Sequence, residues 1–298
     1  MRRNAIVLIV LIFLAVCLTA VFFVLPKRNL TSKSDNSSSL KVAATFLPVA
    51  DMAQRIGGAD VQVVTLLPPG ASPHTFQPTP EQILELQDAK TIFAIGHGID
   101  DWAQTLAKNF PDESIFLVDQ GIQLRQTADG TVDPHYWLDA KNGKIMAQNI
   151  ASELSRLEPS KALAFNQRLQ AYLTELDALD ARIRSIFQGK TQNMIVTHHD
   201  AWQYFAAAYG LKVVGVLEPT PGRELTPQEL AALEQTIRQD KITTIYSEPE
   251  LSTQQLVPLA HDTGVKIEET DPEGGSAGMA SYQDILLKNA EIFARNLD

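Results

Sequence analysis

Ser160–Gln188, SKALAFNQRLQAYLTELDALDARIRSIFQ, decides how this chain is laid out. Apolar residues recur at Ala162, Phe165, Leu169, Leu173, Leu176, Leu179, Ile183 and Ile186. Spacings of three and four put them on one stripe of a helix. At 1.5 Å per residue that helix is on the order of 40 Å long, and Gly189 is placed to end it. A helix of this length can be an ordinary core element. The pattern on its two sides favours a rigid connector between two lobes.

On the N-terminal side, short β-rich runs at Val42–Phe46, Val61–Leu67, Thr91–Ile95 and Ser114–Val118 predict strands. Between them, helices are predicted at Val49–Ile56 (stopped by Gly57-Gly58), from Pro80 to Leu86 and around Asp100–Lys108. Thr79 caps the second of these, with Pro80 at its first position. Residues 139–157 read as a further helix, which Asp139 can cap. Beyond the long helix the alternation resumes. Strands are predicted at Met194–Val196, Lys212–Val216, Thr243–Tyr246 and Val265–Ile267, and helices at Ala201–Ala208, Pro227–Gln239, Thr253–Thr263 and Tyr282–Asn296. Strands alternating with helices imply βαβ units and mostly parallel sheets. The expected fold is therefore α/β: an N-terminal lobe at 40–158, a linking helix at 159–189 and a C-terminal lobe at 190–298. In such sheets ligands bind beyond the carboxyl ends of the strands, so the strand-end loops of both lobes can face one cleft.

Charge is unevenly distributed along the 298 residues. The net charge is −10, but residues 1–30 carry four basic side chains (Arg2, Arg3, Lys27, Arg28) and no acid, leaving 21 basic against 35 acidic residues in the body. An acidic body argues against nucleic acid as a partner, because phosphate binding needs a basic face. The one cysteine, Cys17, lies in the apolar N-terminal segment. An intrachain disulfide and a Cys-rich zinc site are both excluded, so a metal site must be built from His, Asp and Glu.

Ala5–Leu25 is almost wholly apolar, about the 20 residues that span a bilayer as a helix. The apolar region of a cleaved signal peptide is shorter, and no clear small-x-small site follows this one. Residues 1–30 are expected to be an uncleaved signal anchor that leaves the body outside the cytoplasm. Two alternatives stand: a lipoprotein signal centred on Cys17, for which Val16 is a poor preceding residue, and a cleaved signal. Basic residues on both flanks weaken the choice of orientation. The Ser-rich residues 31–39 read as a flexible tether.

Two histidines sit in proline-stiffened turns, at Pro73-His74 and in Asp133-Pro134-His135-Tyr136-Trp137-Leu138-Asp139. A lone histidine in a turn is commonly a surface or hydrogen-bonded residue. Here His199 and Asp271 add to the pattern, and His74, His199 and Asp271 each fall in a loop just after a predicted strand. Three His and one Asp make a complete four-coordinate set for Zn²⁺, and a set with a carboxylate is one that Mn²⁺ also tolerates. Four protein ligands leave no position for a catalytic water, which points to holding a metal rather than using it.

Over residues 40–298 the chain resembles the solute-binding components of bacterial zinc and manganese ABC transporters, periplasmic proteins and lipoproteins. Gly70-Ala71-Ser72-Pro73-His74-Thr75-Phe76-Gln77-Pro78 resembles the first ligand loop of that family, and Asp133–Asp139 the second. Thr197-His198-His199-Asp200-Ala201-Trp202-Gln203-Tyr204-Phe205 resembles the third and Glu269-Thr270-Asp271-Pro272 the fourth. The resemblance implies His74, His135, His199 and Asp271 as ligands, with His199 rather than His198 at the third position, and matches Ser160–Gln188 to the interlobe helix. It also implies extracytoplasmic capture of a divalent metal by a protein without enzymatic activity. Delivery would be to a membrane permease with its cytoplasmic ATPase, by a solute-binding protein expected to be a monomer. Manganese-type members often carry Glu at the third position, so His199 favours zinc. Zinc-type members often carry a His-rich loop before the second ligand, and Gln120–Val132 holds no His.

Glu248, in the Glu248-Pro249-Glu250 stretch, reads as a carboxylate that orients a ligand His or adds negative potential, or equally as a polar loop residue. His198 reads as a neighbour of the ligand shell or a solvated residue, His97 as a loop residue and His261 as a surface residue. Two other functions compete. A metal-dependent surface adhesin has only the tether and the location in its favour. A zinc metallohydrolase lacks any His-Glu-x-x-His helix.

Overall fold

The two stretches of alternating pattern form two four-stranded parallel sheets with the same strand order. In a computed structural model, residues 39–108, 115–127, 129–219 and 222–297 are described; the anchor expected at 1–30 and all but the last residue of the tether lie outside them. The first sheet holds β1 (Leu40–Ala44), β2 (Val61–Thr65), β3 (Ile92–Ala94) and β4 (Ile115–Leu117), in the order β2-β1-β3-β4. The second holds β5 (Met194–His199), β6 (Lys212–Glu218), β7 (Thr244–Ser247) and β8 (Lys266–Glu269), in the order β6-β5-β7-β8. All neighbours are parallel. Each sheet reverses its direction of growth beside its first strand. That switch point opens a crevice at the carboxyl ends of the strands.

Nine helices connect and cover the sheets among the described residues: α1 (Leu47–Gly57), α2 (Pro80–Glu85), α3 (Trp102–Ala107), α4 (Ala140–Leu157), α5 (Ala162–Phe187), α6 (Gln203–Tyr209), α7 (Pro227–Gln239), α8 (Leu256–Thr263) and α9 (Tyr282–Ala294). Their starts are written locally. Thr79 with Gln82, and Thr226 with Glu229, form capping boxes ahead of Pro80 and Pro227. Asp139 accepts from the Lys141 amide at the head of α4.

The long helix α5 has 26 residues and starts after a 3-10 turn at Pro159–Lys161. It buries Phe165, Leu169, Tyr172, Leu176, Leu179 and Ile183. Tyr172 stands on the buried stripe beside Leu173, which is only partly covered. Arg168 ties α5 to the first lobe by donating to the carbonyls of Ile56 (3.0 Å) and Gly57 (2.7 Å) and to Asp60 (2.5 Å).

One apolar core runs through both lobes, from Val42 and Phe46 past Trp137 and Phe165 to Trp202, Phe205, Tyr246 and Phe293. Phe293 has edge or tilted ring contacts with Trp202, Phe205 and Tyr246. Burial of a large apolar side chain contributes about 1.5–3 kcal/mol, and the same cluster takes in residues of both lobes. A smaller cluster covers the far face of each sheet, around Leu66 and Ile92 in the first and around Val196 and Leu233 in the second. The shared core holds the crevice between the sheets at a set width.

Candidate metal centre

His74 lies in the loop after β2. Trp102 on α3 pins that loop by donating its indole N–H to the Pro73 carbonyl at 2.9 Å. His135 ends the Asp133-Pro134-His135 turn and leads into a 3-10 turn at Tyr136–Leu138. Asp133 Oδ1 accepts from the His135 backbone amide (3.0 Å) and lies 2.9 Å from ring Nδ1. One carboxylate thus sets both the backbone and the ring. Tyr136 donates its hydroxyl to the Ile95 carbonyl at 2.8 Å.

His199 is the last residue of β5, paired in register with Glu218 of β6. The sequence places the end of this strand at Val196 and His199 in a loop. The structure corrects this, because pairing with β6 carries the strand on past the Thr197-His198 stretch. Adjacent strand residues face opposite ways. His199 therefore points to the crevice, while His198 is buried with Nε2 3.5 Å from Glu218 Oε1. Glu248, just past β7, has Oε2 3.1 Å from His199 Nδ1, and its Oε1 accepts the Trp202 indole N–H at 3.0 Å.

These elements bring three imidazoles together. Ring centroids lie 5.5 Å apart for His74 and His135, 5.1 Å for His74 and His199, and 4.9 Å for His135 and His199. One ring nitrogen from each lies within 4.8 Å of the others. The Nε2 atoms of His74 and His135 are buried without a hydrogen-bond partner, and an orphaned buried nitrogen is costly unless something else binds it. In a tetrahedral zinc site with bonds of about 2.0–2.1 Å the nitrogens would sit roughly 3.4 Å apart. The rings need to converge only slightly to hold an ion. The crevice around them measures about 250 Å³, and His97, Asp133 and Asp200 also line it.

The three rings differ in proton affinity. Burial, reinforced by the other two rings, drives His74 down to about 2. Burial and His199 hold His135 well below its ordinary 6.5. Burial also works against a charged His199, but the charge and hydrogen bond of Glu248 outweigh it and raise His199 above 6.5. Glu248 is shifted the other way. His199 and Trp202 overcome the effect of burial and keep its carboxyl below the usual range. Burial therefore favours neutral rings at His74 and His135, whereas Glu248 favours the protonated form of His199.

Asp271, two residues past β8, does not belong to this group. Its Oδ1 accepts from the Gly274 amide at 2.5 Å and its Oδ2 from the Ser276 amide at 3.0 Å. Asn289 brackets its backbone, with bonds to its N–H (2.9 Å) and carbonyl (2.7 Å). The carboxylate thus organises a turn. The three-histidine group by itself leaves one coordination position without a protein ligand.

Some neighbours of the site escaped the sequence. The reach of Asp133 back to His135 had a signal, since Asp side chains bond their own backbone two residues on. Glu273 had none. It sits in Pro272-Glu273-Gly274-Gly275, which reads as an exposed turn, yet it is 6% exposed with Oε2 unpartnered. Burial, with Glu250, Glu248 and Asp271 nearby, pushes its pKa well up.

The lobes meet at the ligand loops themselves. Trp137, two residues past His135, donates to the carbonyl of Pro272, next to Asp271, at 2.8 Å. Tyr282 donates to the Trp137 carbonyl at 2.6 Å, and Tyr204 to the Asp133 carbonyl at 3.3 Å.

Comparison with known proteins bears on the family and the fold. Residues 42–296 match the family model described as zinc-uptake complex component A, periplasmic (ZnuA). The metal ABC transporter substrate-binding lipoprotein SsaB of Streptococcus sanguinis is 30% identical, over 86% of this chain and 87% of its own. The manganese ABC transporter substrate-binding lipoprotein PsaA of Streptococcus mitis is 29% identical, over 90% and 93%. A crystal structure of ZnuA superposes with a TM-score of 0.80 at 29% identity, covering 87% of this chain and all of that one.

Proposed function

This chain belongs to the family of zinc-uptake complex component A, periplasmic, and we propose that it captures a divalent transition metal outside the cytoplasm for an ABC permease. The family is one of solute-binding proteins, not of enzymes. Three imidazoles with an open position also suit a catalytic zinc, but family membership sets the metallohydrolase aside and does not favour the adhesin.

One observation carries the reading: three histidine rings from both lobes converge, and two of their own buried ring nitrogens, Nε2 of His74 and of His135, lack any hydrogen-bond partner. His74, His135 and His199 are the proposed ligands. Asp271, whose oxygens each accept one backbone amide and keep a lone pair, is the proposed fourth ligand if the crevice closes on the ion; otherwise water fills that position. Three imidazoles favour zinc, a late transition metal, over manganese, which prefers oxygen ligands. Glu248 and Asp133 orient His199 and His135, which fixes the tautomer and direction of each ring. The buried core and the hydrogen bonds between the lobes support a small closure on binding.

The proposed partners are a membrane permease with its cytoplasmic ATPase. The protein acts as a monomer tethered by its N-terminal segment, with no role for nucleic acid. Titration of the chelator-stripped protein with Zn²⁺ and Mn²⁺ in competition, with elemental analysis, tests this. One tight site per chain that prefers Zn²⁺ is expected. A protein that takes up neither ion overturns the reading, and a preference for Mn²⁺ overturns the choice of metal.

A further inference from the structure

A fourth histidine lines the crevice, outside the group of three. His97 sits just past β3 between two glycines, and Gly96, His97 and Gly98 all have positive φ (81°, 58° and 92°). Left-handed backbone is costly for a residue with a side chain. Something must hold it, and Asp100 does. Its Oδ2 accepts from the Ile95 amide at 2.8 Å and its Oδ1 from the Gly96 amide at 2.7 Å. The turn that aims His97 at the crevice is thus fastened to the end of the strand.

The surroundings of the ring repeat those of the buried histidines. His97 Nε2 lies 2.8 Å from Asp119 Oδ2, just as His135 has Asp133 and His199 has Glu248. A metal-binding imidazole almost always gives its other N–H to a carboxylate, which fixes the tautomer and raises its basicity. In the tautomer in which Nε2–H donates to Asp119, Nδ1 of His97 is the nitrogen with a free lone pair. His97 differs in access from His135 and His199, though not from His74, which is also partly exposed. The side chains of His97 and Asp119 are 20% and 19% exposed, against 4% for His135 and 3% for His199.

We propose that His97, held by Asp119, is a capture ligand at the mouth of the crevice that takes the divalent metal from solution and passes it to the three inner histidines. This rests on the metal-binding reading above. A hydrated ion must exchange its waters for imidazoles. An outer imidazole lets it make the first exchange while still open to solvent, and the inner rings complete the exchange. One imidazole beside one carboxylate falls short of the four ligands of a stable zinc site, so the ion is free to move inward.

The test is stopped-flow mixing of the full chain, in detergent, with Zn²⁺, and release of Zn²⁺ to excess chelator. The variants are His97→Asn, which tolerates left-handed backbone and lacks the ring, His97→Gly and Asp119→Asn. Removal of His97 should slow association and release together, each at least fivefold, with the equilibrium Kd changed less than twofold; Asp119→Asn should do the same to a smaller degree. Unchanged rates in both His97 variants overturn the proposal. So does a tenfold weaker Kd with unchanged association, which would make His97 a resident ligand. Wild-type protein that binds no metal overturns the function itself, a result distinguishable from either of these.

Discussion

The two lobes share a strand order but present their histidines in different ways. The second lobe mounts His199 on β5 itself, with the backbone paired to β6 and the ring backed by Glu248 from the neighbouring strand end. The first lobe hangs His74 and His135 on loops stiffened by proline, the first held by one bond from Trp102 and the second by two contacts of the Asp133 carboxylate. The second lobe thus supplies a ligand fixed by the sheet, and the first supplies two that can adjust as the ion arrives. The electrostatics divide along the same line. Glu248 favours a proton on His199, while burial keeps His74 and His135 neutral. Of the three rings, the one in the second lobe is the one on which a proton would compete with the metal.

Removal of a ring breaks this arrangement most. Both His135→Ala and His199→Ala should weaken Zn²⁺ binding by more than 100-fold in calorimetry, above the 10–100-fold typical of outer-shell changes. If His199→Ala retains near wild-type affinity, the fixed lobe is not the anchor and the comparison fails.

The orienting carboxylates come next. Glu248→Gln should cost about 10–100-fold in affinity, and Asp133→Asn toward the lower end of that range. The order follows from Glu248, which is fully buried and bonded to both His199 and Trp202, whereas Asp133 also finds its partners within its own turn. Parallel titrations check it, and an equal or reversed order would show that the two lobes orient their rings alike.

The proton on His199 makes binding depend on pH. A metal must displace it, so affinity should be greatest above the raised pKa of His199 and fall as pH drops through it. The fall should begin above pH 6.5, the ordinary imidazole value. Calorimetry in buffers of different ionisation enthalpy, across the pH range, should show proton release on binding that grows as pH falls. Release that stays near zero down to pH 6 would mean that His199 is already neutral.

The sequence reveals these lobes to different depths. Local signals carry the first lobe's ligands, because proline and aspartate beside a histidine act through the adjacent backbone. The stripe of α5 is legible for the same reason, although Tyr172 lies on it beside the expected Leu173. The second lobe depends on partners far along the chain. That β5 runs through His199 depends on Glu218, and that His198 turns away follows only once the strand is known to continue. The burial of Glu273 depends on how the turn after β8 folds under the crevice, and nothing in Pro272–Gly275 announces it.

Asp271 is the sharpest case and carries the smallest expected effect on binding. Its position after a strand, next to proline, reads as a fourth ligand; in the structure it lies outside the three-histidine group, and each of its oxygens accepts one amide, from Gly274 and Ser276. In Asp271→Asn one of those two amides would face an NH₂ group and lose its acceptor, at a stability cost of about 1–3 kcal/mol. Zn²⁺ affinity should fall less than tenfold, since the three rings remain. Thermal unfolding without metal and titration of the same variant separate the two effects. A loss of affinity comparable to that of His135→Ala, with stability unchanged, would mean that the turn opens to let the carboxylate reach the ion. The second lobe would then adapt on binding as the first does.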